Sequence, residues 1–133
     1  MQVLLNEITA YIRLVRLWSK HVPRLLYWGT TCNGSVLVLA TELLTGASLA
    51  QQRSINQEAV EDALAALSTV HSAGMLHGDI RANNLMLLHN GGRPCARLID
   101  FGFAQDAGTG QMRQEMKKFK QLLDKHVCPA AVY

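Results

Sequence analysis

The stretch "MLHGDIRANNLMLL" (residues 75–88) decides how the rest of the chain is read. It sets one acid, Asp79, five residues before an amide, Asn84, and an apolar run starts directly after that amide. A second apolar run, "CARLID" at residues 95–100, ends in another acid, and Asn90-Gly91-Gly92 separates the two runs. Short apolar runs joined by Asn and Gly read as an antiparallel hairpin. Such a hairpin returns the chain to its starting end. Asp79, Asn84 and Asp100 are therefore predicted to converge at one end of a small ribbon. Two carboxylates and an amide carbonyl are hard oxygen donors that suit Mg2+, with room left for phosphate oxygens. A carboxylate beside them can take a proton from a hydroxyl. These are the parts of metal-assisted phosphoryl transfer.

Working outward, Val60, Ala63, Leu64, Leu67 and Val70 form an apolar stripe at helical spacing, predicting a helix over residues 57–72. Ser54 with Gln57 matches a capping box, Asn56 is the alternative cap, and Gly74 supplies a left-handed stop. Residues 75–83 read as a loop. Further upstream, "PRLLYWG" and "SVLVLAT" read as two strands around the turn Thr31-Cys32-Asn33-Gly34, with "ELLTGAS" as a connector. Leu4, Ile8, Tyr11, Val15 and Trp18 predict a helix over residues 4–20 that Pro23 ends. Downstream, Met112, Met116, Phe119 and Leu123 predict a helix over residues 111–125 with a core-facing stripe. The mixture is α+β.

Composition narrows the classes. At 133 residues, 49% hydrophobic and 17% charged, the chain suits one domain with one core. A net charge of +3 with both signs interspersed does not argue for a nucleic-acid partner. The basic stretch Arg113 to Lys120 reads as the solvated face of a helix. Cys32, Cys95 and Cys128 are odd in number and dispersed, with no Cys-x-x-Cys. That disfavours a disulfide framework or a zinc site and fits a reducing, cytoplasmic setting. The N-terminal residues show no charged lead before a long apolar core, and no apolar run approaches the roughly 18 residues of a membrane span. Neither nucleic acid nor membrane is expected as a partner.

"HGDIRANN" followed by "IDFG" resembles the catalytic and metal-binding loops of the protein-kinase-like superfamily. "STVHSAGMLHGD" resembles the helix leading into the catalytic loop, and "VLATELLTGASL" the strand and hinge that receive adenine. "NEITAYIRLVRLWSKHVPRLLYWG" resembles the glutamate-bearing helix and the strand after it. The wording is similar to compact, atypical, fungal-type members and to small-molecule kinases. The resemblance implies a kinase-like C-lobe over residues 47–133, with residues 1–46 as a remnant N-lobe and hinge. It implies ATP and Mg2+ as cofactors and a hydroxyl-bearing protein or small molecule as acceptor. Asp79 resembles the catalytic base, and Asn84 and Asp100 the metal ligands. Glu7 resembles the helix glutamate that pairs with a lysine, and Glu42 and Leu43 the hinge residues whose backbone meets adenine. Arg81 stands where many protein kinases place a lysine near the transferred phosphate, and His77 and Phe101 resemble packing residues beneath the loop.

Departures from the pattern shape the expectation. Gly78 replaces the arginine that reads a phosphorylated activation loop in regulated kinases, and no Ala-Pro-Glu follows Asp100. No glycine-rich loop or lysine strand precedes residue 4, and Lys20 lies at the far end of the helix bearing Glu7. The expectation is a domain truncated at its N-lobe, impaired in phosphate transfer, with an exposed sheet edge open to self-association or a partner protein. The alternatives are a non-catalytic, pseudokinase-type binding module and a fragment of a small-molecule (aminoglycoside- or choline-type) kinase. Glu115 is expected to be an exposed helix residue, with the alternative that it anchors the catalytic loop as an acid on the following helix does in the family, and His71 a structural one.

Overall fold

The apolar stripe of residues 57–72 folds as predicted into α2 (Gln57–Ser72), whose Ala63, Ala66, Leu67 and Val70 are fully buried. Asn56 caps it, with its side-chain oxygen accepting the Ala59 N–H at 2.9 Å, so of the two candidate caps the later one is used. Its C-terminal end passes through Gly74 at φ +85. We obtained the architecture from a computed structural model, which describes residues 2–127; Cys128 lies outside the described residues.

α2 packs on the inner face of the hairpin that the opening stretch predicts. β5 (Leu85–Asn90) and β6 (Arg93–Leu98) pair antiparallel from Leu85↔Leu98 to Asn90↔Arg93. Gly91 and Gly92 have φ of +61 and +83, which is the backbone of the tight turn that matches strand twist. The strand β3 (Ala47–Ser48) completes a three-stranded sheet in the order β3-β5-β6. The α2 residue Asp62 accepts the Ala96 N–H at 2.5 Å, capping the outer edge of β6. The predicted loop at 75–83 also contains β4 (Met75–Leu76), which pairs antiparallel with β7 (Gln105–Asp106). α3 (Thr109–Asp124) begins slightly before its predicted start and buries Phe119 and Leu123 against the same core.

The first helix is shorter than its periodicity predicts. α1 (Gln2–Arg13) ends well before Pro23. The Leu14 N–H is shared between Ala10 O at 3.0 Å and Tyr11 O at 3.1 Å, and the Trp18 indole N–H takes Tyr11 O at 2.8 Å. The chain tightens into a 3-10 turn at Val15–Leu17, and Ser19 adopts φ +63. The apolar spacing therefore runs on through a turn in which Val15 faces solvent. β1 (Leu25–Thr31) and β2 (Val36–Thr41) form a separate two-stranded sheet around the predicted turn, in which Cys32, Asn33 and Gly34 all have positive φ. The linking segment is fastened to the larger sheet. Leu98 N–H donates to His21 O at 2.8 Å, and Arg97 donates to Ser19 O at 2.6 Å and to Lys20 O.

Candidate active site

The convergence predicted from the hairpin is present, and hydrogen bonds fix the orientation of Asp79 and Asn84. Asn84 closes a 3-10 turn directly before β5, and its carbonyl accepts the Ile99 N–H at 3.0 Å, so the residue before Asp100 is paired with Asn84. Asn84 Nδ2 donates to Asp79 O at 2.9 Å and to Asp79 Oδ2 at 3.1 Å. A carbonyl oxygen only accepts, so the amide must present its nitrogen to Asp79 and keep Oδ1 for another partner. Asn84 is buried and Asp79 is partly exposed, with 22% of its side chain accessible. Arg81 lies across the same carboxylate, with Nη2 3.2 Å from Asp79 Oδ2 and the side chain 60% exposed.

Beneath the loop, Asp79 N–H donates to His77 Nδ1 at 3.1 Å, and His77 Nε2 meets Ile99 O at 2.7 Å. Nδ1 is therefore the acceptor and Nε2 carries the proton. Burial holds this imidazole below its ordinary pKa of 6.5, with the Ile99 carbonyl and nearby acids opposing, so it stays neutral. The ring packs on Phe101 at 4.8 Å between centroids, and Phe101 meets Tyr11 edge-on at 5.4 Å. One buried aromatic column thus joins the loop at 77–79, Asp100 and α1. Asp100 itself has φ +64, a left-handed conformation that costs a non-glycine residue about 1–2 kcal/mol.

Asp100 opens onto a cleft of about 470 Å³ lined by Glu7, Tyr11, Leu39, Thr41, Glu42 and Leu44, with Met86 and Ile99 on its other wall. Glu7 from α1 faces it; burial first, and then the charge of Asp100, holds the Glu7 carboxyl above its ordinary 4.5, with the Phe101 amide opposing. Burial and the same two acids push the Tyr11 phenol up as well. Among the described residues the cleft lining carries Glu7, Glu42 and Asp100 and no lysine or arginine. The Glu42 carboxylate is already engaged, accepting from Ser19 Oγ at 3.1 Å and from Arg24 N–H at 2.8 Å. The Leu43 side chain points to solvent, 89% exposed, and the adjacent Leu44 contributes the apolar lining. Asp79, Arg81 and Asn84 lie outside that lining, so Asp100 is where the cleft and the Asp79 loop meet.

Glu115 takes the anchoring role that exposure was set against. It is buried in side-chain terms (9% exposed) and accepts the His77 N–H at 3.0 Å, the Gly78 N–H at 2.9 Å and the His71 ring at 2.8 Å. One carboxylate from α3 thus holds the Asp79 loop from below, steadied by the end of α2. His71 is structural, as expected. The signal for Glu115 was in the sequence: it stands between Met112 and Phe119 at three- and four-residue steps, an acid on the buried stripe.

The family of protein kinase domains matches residues 2–122. The chain belongs to the protein kinase family. This kinase-family chain is 30% identical over 82 residues to ribosomal protein S6 kinase alpha-1 of Mus musculus, covering 55% of the chain and 11% of that relative. It is 38% identical over 65 residues to serine/threonine-protein kinase PknA of Nostoc, covering 46% and 11%, respectively. It is 42% identical over 50 residues to nucleosomal histone kinase 1 of Drosophila melanogaster, covering 37% and 8%. It therefore spans about a tenth of the length of these curated relatives.

Among the described residues no three His, Cys, Asp or Glu side chains cluster as a complete metal-ligand set. Asp100 and Asn84 Oδ1 offer two hard oxygens. Mg2+ takes few protein ligands and fills its shell with water and substrate phosphate, so the pair fits that ion in the company of a nucleotide.

Proposed function

We propose that the chain carries the metal- and nucleotide-binding part of a protein kinase domain that transfers the terminal phosphate of ATP to a hydroxyl on a protein. Residues 47–133 act as the C-lobe, and residues 1–46 as the part of the N-lobe that meets the hinge. The observation that carries this reading is the Asn84 amide, whose bonds to Asp79 leave its oxygen for another partner, while its backbone carbonyl pairs with Ile99, the residue before Asp100. Asp100 and Asn84 would hold the metal, and Mg2+, when bound, neutralises charge on the phosphates. Asp79 would accept the acceptor's hydroxyl proton at its carboxylate. Arg81, now paired with that carboxylate, would move toward or share with the transferred phosphate. Leu39, Leu44, Met86 and Ile99 offer apolar walls to adenine, and the backbone of residues 42–44 offers its polar edge. The names of the relatives favour a protein acceptor, and the cysteine usage favours the cytoplasm.

A second reading, a nucleotide- or partner-binding module with little catalysis, is favoured by the cleft lining. Three carboxylates with no base give the phosphates little to hold. Removing even one preorganised donor typically costs about 3–4 kcal/mol of transition-state stabilisation. The 133-residue chain by itself is thus expected to bind nucleotide weakly and to transfer phosphate below ordinary detection. Two variants test the assignment of roles. Asp100→Asn should weaken Mg2+-dependent ATP binding about tenfold, because a charged ligand becomes a neutral amide. Asp79→Asn should leave binding within about twofold, since its role lies in the transition state. Equal losses in a titration of both variants would overturn the assignment.

A further inference from the structure

Asp100 sits in a left-handed conformation at the head of a turn in which only Phe103 is exposed, and something must hold it there. Phe101 anchors one side by its burial in the aromatic column. The other side is held by a residue that the proposed chemistry leaves unused. Asn6, next to Glu7 on α1, donates from Nδ2 to Gly102 O at 2.8 Å and to Ala104 O at 2.8 Å. A carboxamide nitrogen has two hydrogens, and both are spent on the one turn, on carbonyls two residues apart. The turn is closed internally by Ala104 N–H to Phe101 O at 3.1 Å. A separate observation points to the same docking. A Cβ on Gly102 would lie 2.5 Å from Val3 Cγ1, so the first turn of α1 rests directly on the Gly102 backbone.

We propose that Asn6 is a positioning residue that clamps the turn after Asp100 to α1, so that Asp100 and Glu7 are presented to the cleft as one unit. The proposal rests on the reading of Asp100 as a metal ligand. Glu7 is the neighbour of the clamp on the helix, and Asp100 lies two residues before its first carbonyl. Displacing α1 would have to break both bonds and unseat Val3. The clamp therefore makes the position of α1 and the geometry of the metal-facing turn a single variable. Asn6 touches no reacting group; it acts through the turn.

The test uses the 133-residue chain with Asn6→Leu, which keeps the shape and removes the donors, and Asn6→Asp, which turns oxygen toward two carbonyl oxygens. Amide hydrogen exchange and Mn2+·ADP affinity by electron paramagnetic resonance are measured on each. The clamp predicts at least tenfold loss of protection at the Ala104 amide in the Leu variant and a larger loss in the Asp variant, with the Leu98 and Ile99 amides unchanged. It predicts at least fivefold weaker Mn2+·ADP binding in the Leu variant, with metal-free ADP binding unchanged. Wild-type protection at Ala104 in either variant overturns the clamp. Equal loss at Leu98 and Ile99 also overturns it, since Asn6 would then serve only global stability. A loosened turn with unaltered Mn2+·ADP affinity removes the positioning role. A wild-type chain that binds no Mn2+·ADP overturns the metal reading of Asp100, and the exchange data then decide the clamp by themselves.

Discussion

Gly78 shows how single positions govern the loop that bears Asp79. Its φ is +88, and a Cβ there would lie 2.0 Å from Phe103 O. The family's arginine at this place could not be accommodated without moving the Phe103 backbone. Gly78→Ala should cost about 2–4 kcal/mol, combining left-handed strain with a backbone clash; a denaturant midpoint within experimental error of wild type would refute this. His77 gives a second prediction. Its folded pKa lies below the 6.5 of the free side chain, and His21 shifts the same way, mainly through burial. Between those values the unfolded chain binds more protons than the folded one. Stability is therefore complete above pH 6.5 and lost as pH falls through that window. Glu7, raised above 4.5, has the opposite sign, because its contribution is lost as pH rises through its folded value. Lowering pH from 7.5 to 6.0 should therefore reduce the melting temperature of a Glu7→Gln variant, which lacks the opposing contribution, and a flat or rising profile in that variant would show that His77 and His21 are not held neutral.

The elements differ in how far the sequence revealed them. The bounds of α2 were legible because its stripe and glycine stop agreed, with only the cap left open between Ser54 and Asn56. Asn56 rather than Ser54 caps it, so Asn56→Ala should cost about 1 kcal/mol while Ser54→Ala leaves thermal stability nearly unchanged; the reverse order would refute the assigned cap. The β5–β6 hairpin was legible because Asn-Gly-Gly chooses a turn and the turn fixes the register, and that register is what brings Asn84 to Ile99. The end of α1 was not legible. Its apolar spacing continues past Arg13, and what ends the helix is a tertiary choice, the Trp18 indole taking a helix carbonyl. For Glu115 the sequence left exposure and loop anchoring both open, because an acid on a basic helix also reads as solvated. Only the loop docking above it, with two backbone N–H groups and a histidine to satisfy, explains its burial. Asn6 carried no local signal, since both its partners lie more than ninety residues away.

At the scale of the molecule, one core joins α1, α2, α3 and the β3-β5-β6 sheet, while β1 and β2 form a two-stranded sheet by themselves among the described residues. Leu26, Tyr27, Trp28 and Val36 of that hairpin are exposed. Two-stranded sheets are marginal, and open edges invite pairing. The 133-residue chain should therefore self-associate with rising concentration, and Trp28→Lys should reduce that association; a strictly monomeric sedimentation profile into the hundred-micromolar range would oppose this. We propose that Asp100 and Asn84 form a metal-dependent nucleotide site beside the cleft. Its most direct test is the melting temperature of the chain with 1 mM ATP, in excess Mg2+ and in EDTA. With a dissociation constant near 1 mM, bound Mg2+·ATP stabilises the fold by about 0.4 kcal/mol, a shift of about 2 °C. That shift is expected with Mg2+ and should disappear both in EDTA and in Asp100→Asn. An equal shift in EDTA, or one that survives Asp100→Asn, would contradict the proposed site.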